Sequence, residues 1–460
     1  MVLLILCRFY TFHNGLLSPF ICHFQHINDV PNEKSWQLKD HPTVHTDFAL
    51  KMAAANGKHW VMLVAGSKTW DNYRHQADVC HAYQIVHQNG IPDEQIVVMM
   101  YDDIANNTAN PYRGNIINKP NGPNVYPGVP KDYTGKDVTP ENFLAALKGD
   151  RRAVKKSNPK VITSGGNDTI FIYLADHGSL GFFSFPNSAL YAHELIATIK
   201  EMARNNKFSK MVIYMESCES GSMFTELPEN IHVYAVSAAT ANESSYACYF
   251  DSVRKTFLAD EFSALWMHYT ETSDLDKKTF RDQFSYLQEK MQMSHSCRFG
   301  DMTTGDNPIS AFLRKAIQKS ARAPNLQLTD LTRAHEVPFK ILKHQIETET
   351  DAGRRQNLIR KHEDLQQTKA KIERRVEAIR QRFRGSGFED VSGGAVGYSS
   401  TVNSRTLKTV AEHFRTTCFD WHKDEFHMAL SHMHVFAHLC ARGVQADSII
   451  KVITEVSNLP

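Results

Sequence analysis

What this 460-residue sequence lacks narrows it first. None of its eight cysteines sits in a C-x-x-C pair, which argues against a zinc site or a thioredoxin-like motif. A net charge of +2 gives no electrostatic case for a nucleic-acid partner. Past the first 24 residues no segment approaches 18 uninterrupted apolar residues, so no membrane span is expected. Internal repeats are absent. The leader is apolar and aromatic, but Arg8 and His13 interrupt it and no small-residue cleavage site stands out. It reads either as an atypical signal peptide or as a misassigned start.

What is present is the composition of a soluble globular protein, 42% hydrophobic and 22% charged, long enough for two or three domains. The 23 histidines would make the chain clearly basic in an acid compartment. Sequons place candidate glycosylation at Asn106 and Asn167, with a third at Asn242. Residues 1–56 show no sustained periodicity and read as a leader or arm. Strands and helices alternate over 57–313, with strands expected at 59–66 and 95–101 and a helix over 78–90. The Pro-, Gly- and Asn-rich stretch 106–139 is a long loop, of the kind that often belongs to a binding site. Residues 314–350 read as a linker and 351–460 as a helical module. Its first helix, over 353–385, carries the apolar stripe Leu358, Leu365, Ile372, Val376 and Ile379, and two or three more helices follow.

Two strings carry chemistry. Asp176-His177-Gly178-Ser179 and Glu216-Ser217-Cys218-Glu219-Ser220-Gly221 each follow a run of β-formers that reads as a buried strand of a mostly parallel sheet. A His and a Cys therefore emerge at strand ends, where open α/β sheets place ligands. Each alone reads most simply as structural. Together they suit a cysteine nucleophile with an imidazole to take its proton. Acidic residues on either side of Cys218 would raise its pKa, a poor choice for a purely structural thiol.

These strings, with Asn72-Tyr73-Arg74-His75-Gln76-Ala77-Asp78, Gly90-Ile91-Pro92-Asp93-Glu94-Gln95-Ile96 and Glu243-Ser244-Ser245-Tyr246-Ala247-Cys248, resemble the legumains, asparaginyl endopeptidases of the caspase-like cysteine peptidase clan. The resemblance runs from Gly57 through the catalytic region and more weakly to the C-terminus. It implies an α/β fold with a caspase-like, mostly parallel sheet flanked by helices, plus an all-α C-terminal prodomain. It implies Cys218 as nucleophile, His177 as general base, Asn72 orienting the imidazole, and the N–H groups of Gly178 and Cys218 as oxyanion hole. Arg74, His75, Glu216, Ser244, Tyr246 and Asp260 would bind substrate, with no cofactor and no metal. Expected partners are protein and peptide substrates, the chain's own prodomain as inhibitor, and cystatin-type inhibitors. The expected location is lysosomal, vacuolar or secreted.

The chain also departs from that family. Only Cys418 and Cys440 of four prodomain cysteines are present, so free thiols or a rearranged bridge are expected. No Asn lies between Val337 and Gln356, which leaves Asn325 and Asn357 as the nearest processing sites. Asn242, beside the expected pocket, is expected unmodified. Asp176 reads as a strand-end cap rather than a succinimide precursor, and Leu147-Lys148-Gly149-Asp150 as a helix stop. The alternatives are a GPI-anchor transamidase-like enzyme, which would lack the charged helical module, and a non-catalytic legumain-like binding or inhibitory protein.

Overall fold

The computed structural model describes residues 57–315, 326–384 and 404–458. Its strands are β1 (His59–Ala65), β2 (Ile96–Met99), β3 (Thr169–Ala175), β4 (Gly178–Ser179), β5 (Phe182–Phe185), β6 (Ser188–Tyr191), β7 (Lys210–Glu216), β8 (Val233–Ser237), β9 (Tyr246–Asp251), β10 (Thr256–Asp260), β11 (Cys297–Gly300) and β12 (Thr332–Arg333). Six form the central sheet in the order β11-β8-β7-β3-β1-β2, parallel throughout except for the edge strand β11. β1, β3 and β7 are apolar along their length because both sheet faces are covered. On one face the helices Tyr73–Gln88, Glu261–Thr272 and Phe280–Lys290 close a core with Val61, Phe171 and Tyr214. On the other, Pro140–Lys148 and Ala192–Arg204 pack on Met62, Ile172 and Ile213.

Two elements differ from the sequence reading. The helix expected at 78–90 starts at Tyr73, because Arg74, His75, Gln76 and Asp78 are buried polar residues and show no amphipathic pattern. Within the expected linker, β12 adds to β9 and a helix runs Val337–Thr348 with Pro338 in its first turn. It buries Val337 and Ile341 against Ala247 and Phe257. One pair of apolar residues four apart is too short a signal to register as periodicity.

The C-terminal region contains the helix Ala352–Arg382, capped by Asp351, and the helices Ser404–Thr417, His434–Ala441 and Ala446–Ser457. Of the expected stripe, Ile372, Val376 and Ile379 are buried and Leu365 packs alongside, whereas Leu358 lies outside that core. This core is shared with the sheet-bearing region: Leu180, Phe182, Ala189 and Tyr191 from the β4–β5–β6 sheet belong to it. Trp421 stacks on Phe182 with ring centroids 5.7 Å apart. Polar ties flank it, from Ser179 Oγ to Leu430 O (2.8 Å), Tyr191 OH to Glu412 (2.9 Å) and Lys408 to Glu194 (2.6 Å). Ile379→Ala should loosen this region by about 2–4 kcal/mol. Hydrogen exchange should then show lost protection over 404–417 and none over β3.

Candidate active site

Parallel register sets the site. Ala65 pairs with Ala175 and Ala175 with Glu216, so three strands end level and release Gly66-Ser67, Asp176-His177 and Ser217-Cys218 at one edge. The approach is tight. A Cβ on Gly178 would lie 2.6 Å from Cys218 O and 2.7 Å from Ser217 Oγ, so only glycine lets the two loops meet. Asp176 Oδ1 accepts from His177 N at 2.6 Å, the geometry of a strand-end cap. Glu219 adopts φ 50°, a left-handed turn that leads into the 3-10 helix Ser220–Met223.

His177 Nε2 meets Asn72 Oδ1 at 2.7 Å, and Asn72 Nδ2 donates to Lys68 O at 2.9 Å. Because that amide nitrogen is committed, the oxygen must face the imidazole, which makes Nε2 the donor. Cys218 is buried, with Ser245 N at 3.4 Å and Ser245 Oγ at 3.6 Å from Sγ. Burial pushes its thiol up, and the Ser245 hydrogen bonds oppose this. Burial, then the neighbouring His427, pushes His177 well below the usual imidazole range. The resting pair is therefore neutral. Among the described residues no hydrogen bond joins Cys218 to His177; the imidazole within reach of Sγ is instead His335 Nδ1, at 4.0 Å.

Beside the thiol lies a buried polar group that would be costly without a ligand. Arg74 Nε donates to Asp260 Oδ1 at 2.8 Å, and Glu216 Oε2 accepts from Ser263 N (3.0 Å) and Ser263 Oγ (2.9 Å). Arg74 Nη2, Glu216 Oε1 and Asp260 Oδ2 remain buried with no hydrogen-bond partner. Each such group costs roughly 1–3 kcal/mol, so three together mark a place for something that supplies both an acceptor and donors. His75 is packed edge-on to His177, held by Ser67 Oγ at 2.7 Å and lying 3.6 Å from Asp260 Oδ2.

Residues 59–321 match the Peptidase C13 family. The chain is 43% identical to legumain of Rattus norvegicus over 404 residues, covering 87% of this chain and 92% of the relative. To legumain of Homo sapiens it is 44% identical over 392 residues, 84% and 90% of the two chains. To the vacuolar-processing enzyme beta-isozyme of Arabidopsis thaliana it is 35% identical over 413 residues, covering 85% and 84%. The chain belongs to the Peptidase C13 family. It is a cysteine endopeptidase, and the resemblance read from its motifs holds over most of its length. A crystal structure of caspase-1 from Spodoptera frugiperda is similar over 53% of this chain and 87% of its own, at 7% identity and a TM-score of 0.32.

In this C13 peptidase the fold gathers nearly every residue named from sequence. Asn72, Arg74, His75, His177, Gly178, Glu216, Cys218, Ser244 and Asp260 meet at the sheet's C-terminal edge. Tyr246 accepts from Arg333 Nε at 3.1 Å, so β12 occupies it. His75, Asp176 and His177 bring ligand-type atoms within 4.8 Å of one another. Ser67, the backbone N–H of His177 and Asn72 bond to these three side chains in turn.

Two residues were missed. His335, from the expected linker, bonds Ser244 Oγ through Nε2 at 2.7 Å while facing Cys218. His427, from the C-terminal region, lies on His177 with ring centroids 3.6 Å apart, its Nε2 buried without a partner. Among 23 histidines neither had a local pattern to single it out.

Other expectations fall on plain ground. Asn106, Asn167 and Asn242 are exposed, Cys418 and Cys440 are free, and Gly149 ends its helix at φ 77°. Asn357 lies inside the helix Ala352–Arg382, and Asn325 lies outside the described residues. No described helix is long and apolar enough to cross a membrane. Gly178→Ala should cut kcat at least 100-fold, since the added methyl must displace the Cys218 carbonyl. A circular dichroism spectrum like that of the parent would localise the damage to the site.

Proposed function

We propose that the protein hydrolyses peptide bonds on the C-terminal side of asparagine, and of aspartate at acid pH. The observation that carries this reading is the trio of unpartnered atoms. A carboxamide offers one acceptor and two N–H donors. Arg74 Nη2 would donate to its oxygen, and Glu216 Oε1 and Asp260 Oδ2 would accept from its nitrogen. An ionised aspartate would face these two acidic groups and enter only when protonated. Discrimination is sharp because a substrate that leaves such groups unpaired forfeits their hydrogen bonds.

Cys218 then attacks the scissile carbonyl as thiolate, its proton passing to His177. His177 returns that proton to the leaving amine, and water attacks the thioester with His177 as base. The N–H groups of Gly178 and Cys218 would bind the oxyanion, each donor worth about 3 kcal/mol. Asn72 holds the imidazole in one tautomer.

The same reading makes the chain a zymogen. His427 covers the base, and His335 contacts both the thiol and Ser244, so the C-terminal region (351–460) and the segment before it would act as inhibitor. Acid would release them, in keeping with a lysosomal, vacuolar or secreted protease. Burial, and for His427 also His335 and Arg74, lowers the imidazole of His427 to about 3; burial and Arg415 lower His422 to about 4, and burial and His434 lower His432 to about 4. An undocked imidazole titrates near 6.5. The undocked state therefore binds more protons between about pH 6.5 and 4, and docking weakens as pH falls through that window. His427→Gln, which cannot charge, should move release to lower pH, read by limited proteolysis across pH 4–7.

The test of the activity is turnover of matched Asn-, Asp- and Ala-containing fluorogenic peptides at pH 5.5 and 7.5 by acid-treated protein, beside Cys218→Ala. Asn-selective cleavage that vanishes in the variant is expected, with Asp cleaved only at pH 5.5. No turnover after demonstrated removal of the C-terminal region would favour a binding protein.

A further inference from the structure

Behind the pocket a buried string of polar side chains runs from the surface to Asp260. Glu271 Oε1 meets His81 Nε2 at 2.9 Å, and His81 Nδ1 meets Asn118 Oδ1 at 2.8 Å. Asn118 Nδ2 donates to Asp78 Oδ1 at 2.7 Å and to Leu258 O at 2.9 Å. Asp78 lies one helical turn after Arg74 and is fully buried. Its carboxyl lies against that of Asp260.

Donor accounting orders this string. Both hydrogens of the Asn118 amide are committed, so its oxygen must accept from His81 Nδ1. At the other end, Asp78 Oδ2 and Asp260 Oδ2 are buried and receive no hydrogen bond from any other described group. Two acceptors in contact need one proton between them. Asp260 has the Arg74 guanidinium at 2.8 Å to hold it ionised. Asp78 has only an amide; Glu216, Tyr173 and Cys248 around it supply no positive charge. The proton belongs on Asp78.

We propose that Asp78 is a positioning residue for substrate specificity: carrying a proton at neutral pH, it donates to Asp260 Oδ2, keeps that carboxylate ionised, and leaves the oxygen's second lone pair for the substrate carboxamide. Burial and the Asp260 charge both push the Asp78 carboxyl well above its usual range, in agreement. Asn118, from the 106–139 loop, fixes Asp78 in turn, and this gives that loop a part in the pocket without touching substrate. The inference rests on the asparagine-pocket reading above.

Asp78→Asn is the decisive variant, because an amide donates to Asp260 and accepts from Asn118 just as a protonated carboxyl does. Asp78→Ala removes both. With activated protein and an Asn peptide, Asp78→Ala should raise KM roughly tenfold with a smaller change in kcat. Asp78→Asn should rescue, holding KM within about threefold of the parent. The infrared difference spectrum at pH 7 between parent and Asp78→Asn should show loss of one protonated-carboxyl band. A KM for Asp78→Asn as poor as that of Asp78→Ala, or no such band, would overturn the proposal, since Asp78 would then act through its charge. If Asp78→Ala fails to fold, the Asn variant and the band still decide. Were the parent to cleave Asn and Ala peptides alike, the pocket reading would fail, while the band would still report separately on the Asp78 proton.

Discussion

A guanidinium taken out of water has to be paired, and the geometry around Arg74 follows from that requirement. Arg74 is fully buried in the first turn of the helix Tyr73–Gln88, and its Nε is answered by Asp260 at the end of β10. That pairing holds a helix from one side of the sheet against a strand from another sheet, directly beside the C-terminal edge of β1, β3 and β7. Isolated buried ion pairs contribute little net stability. Here the pair is also incomplete: Arg74 Nη2, Asp260 Oδ2 and Glu216 Oε1 have no partners. The fold carries an unfinished hydrogen-bond set, and a substrate side chain is the natural group to complete it.

The same edge is covered from two directions. β12 pairs antiparallel with β9 and sets His335 against Cys218 and Ser244, while the C-terminal region sets His427 against His177. Covering the edge dries it. Burial then disfavours both the thiolate and the imidazolium, so Cys218 and His177 rest uncharged. The groups that do the covering are themselves imidazoles, poorly solvated and, while packed, neutral to a lower pH than a free imidazole. A shared apolar core around Phe182 and Trp421 supplies the attraction that holds them there.

The catalytic half was legible because its signals are local. β1, β3 and β7 are apolar runs ending in Gly, His and Cys, and parallel pairing alone brings those ends level. Arg74, Glu216 and Asp260 became readable only through the motifs that carry the family resemblance; composition would have called them surface charges. The start of the helix at Tyr73 was illegible for the same reason, since its polar residues face inward. His335 and His427 were invisible because their roles come from docking between segments distant in the chain. Asp78 and Asn118 were present in the motif and the loop already singled out, yet their partnership lies in hydrogen-bond geometry that no spacing encodes.

The central claim is that Arg74, Glu216 and Asp260 read a carboxamide next to Cys218. The most direct measurement is covalent capture at pH 7.5, after removal of the C-terminal region. Two otherwise identical irreversible probes would be compared, one bearing an asparagine-like and one an aspartate-like side chain, followed by intact mass and peptide mapping. The account predicts one equivalent of the carboxamide probe on Cys218, with the carboxylate probe reacting at least 100-fold more slowly until the pH is lowered. Equal rates for the two probes, or modification elsewhere than Cys218, would contradict it.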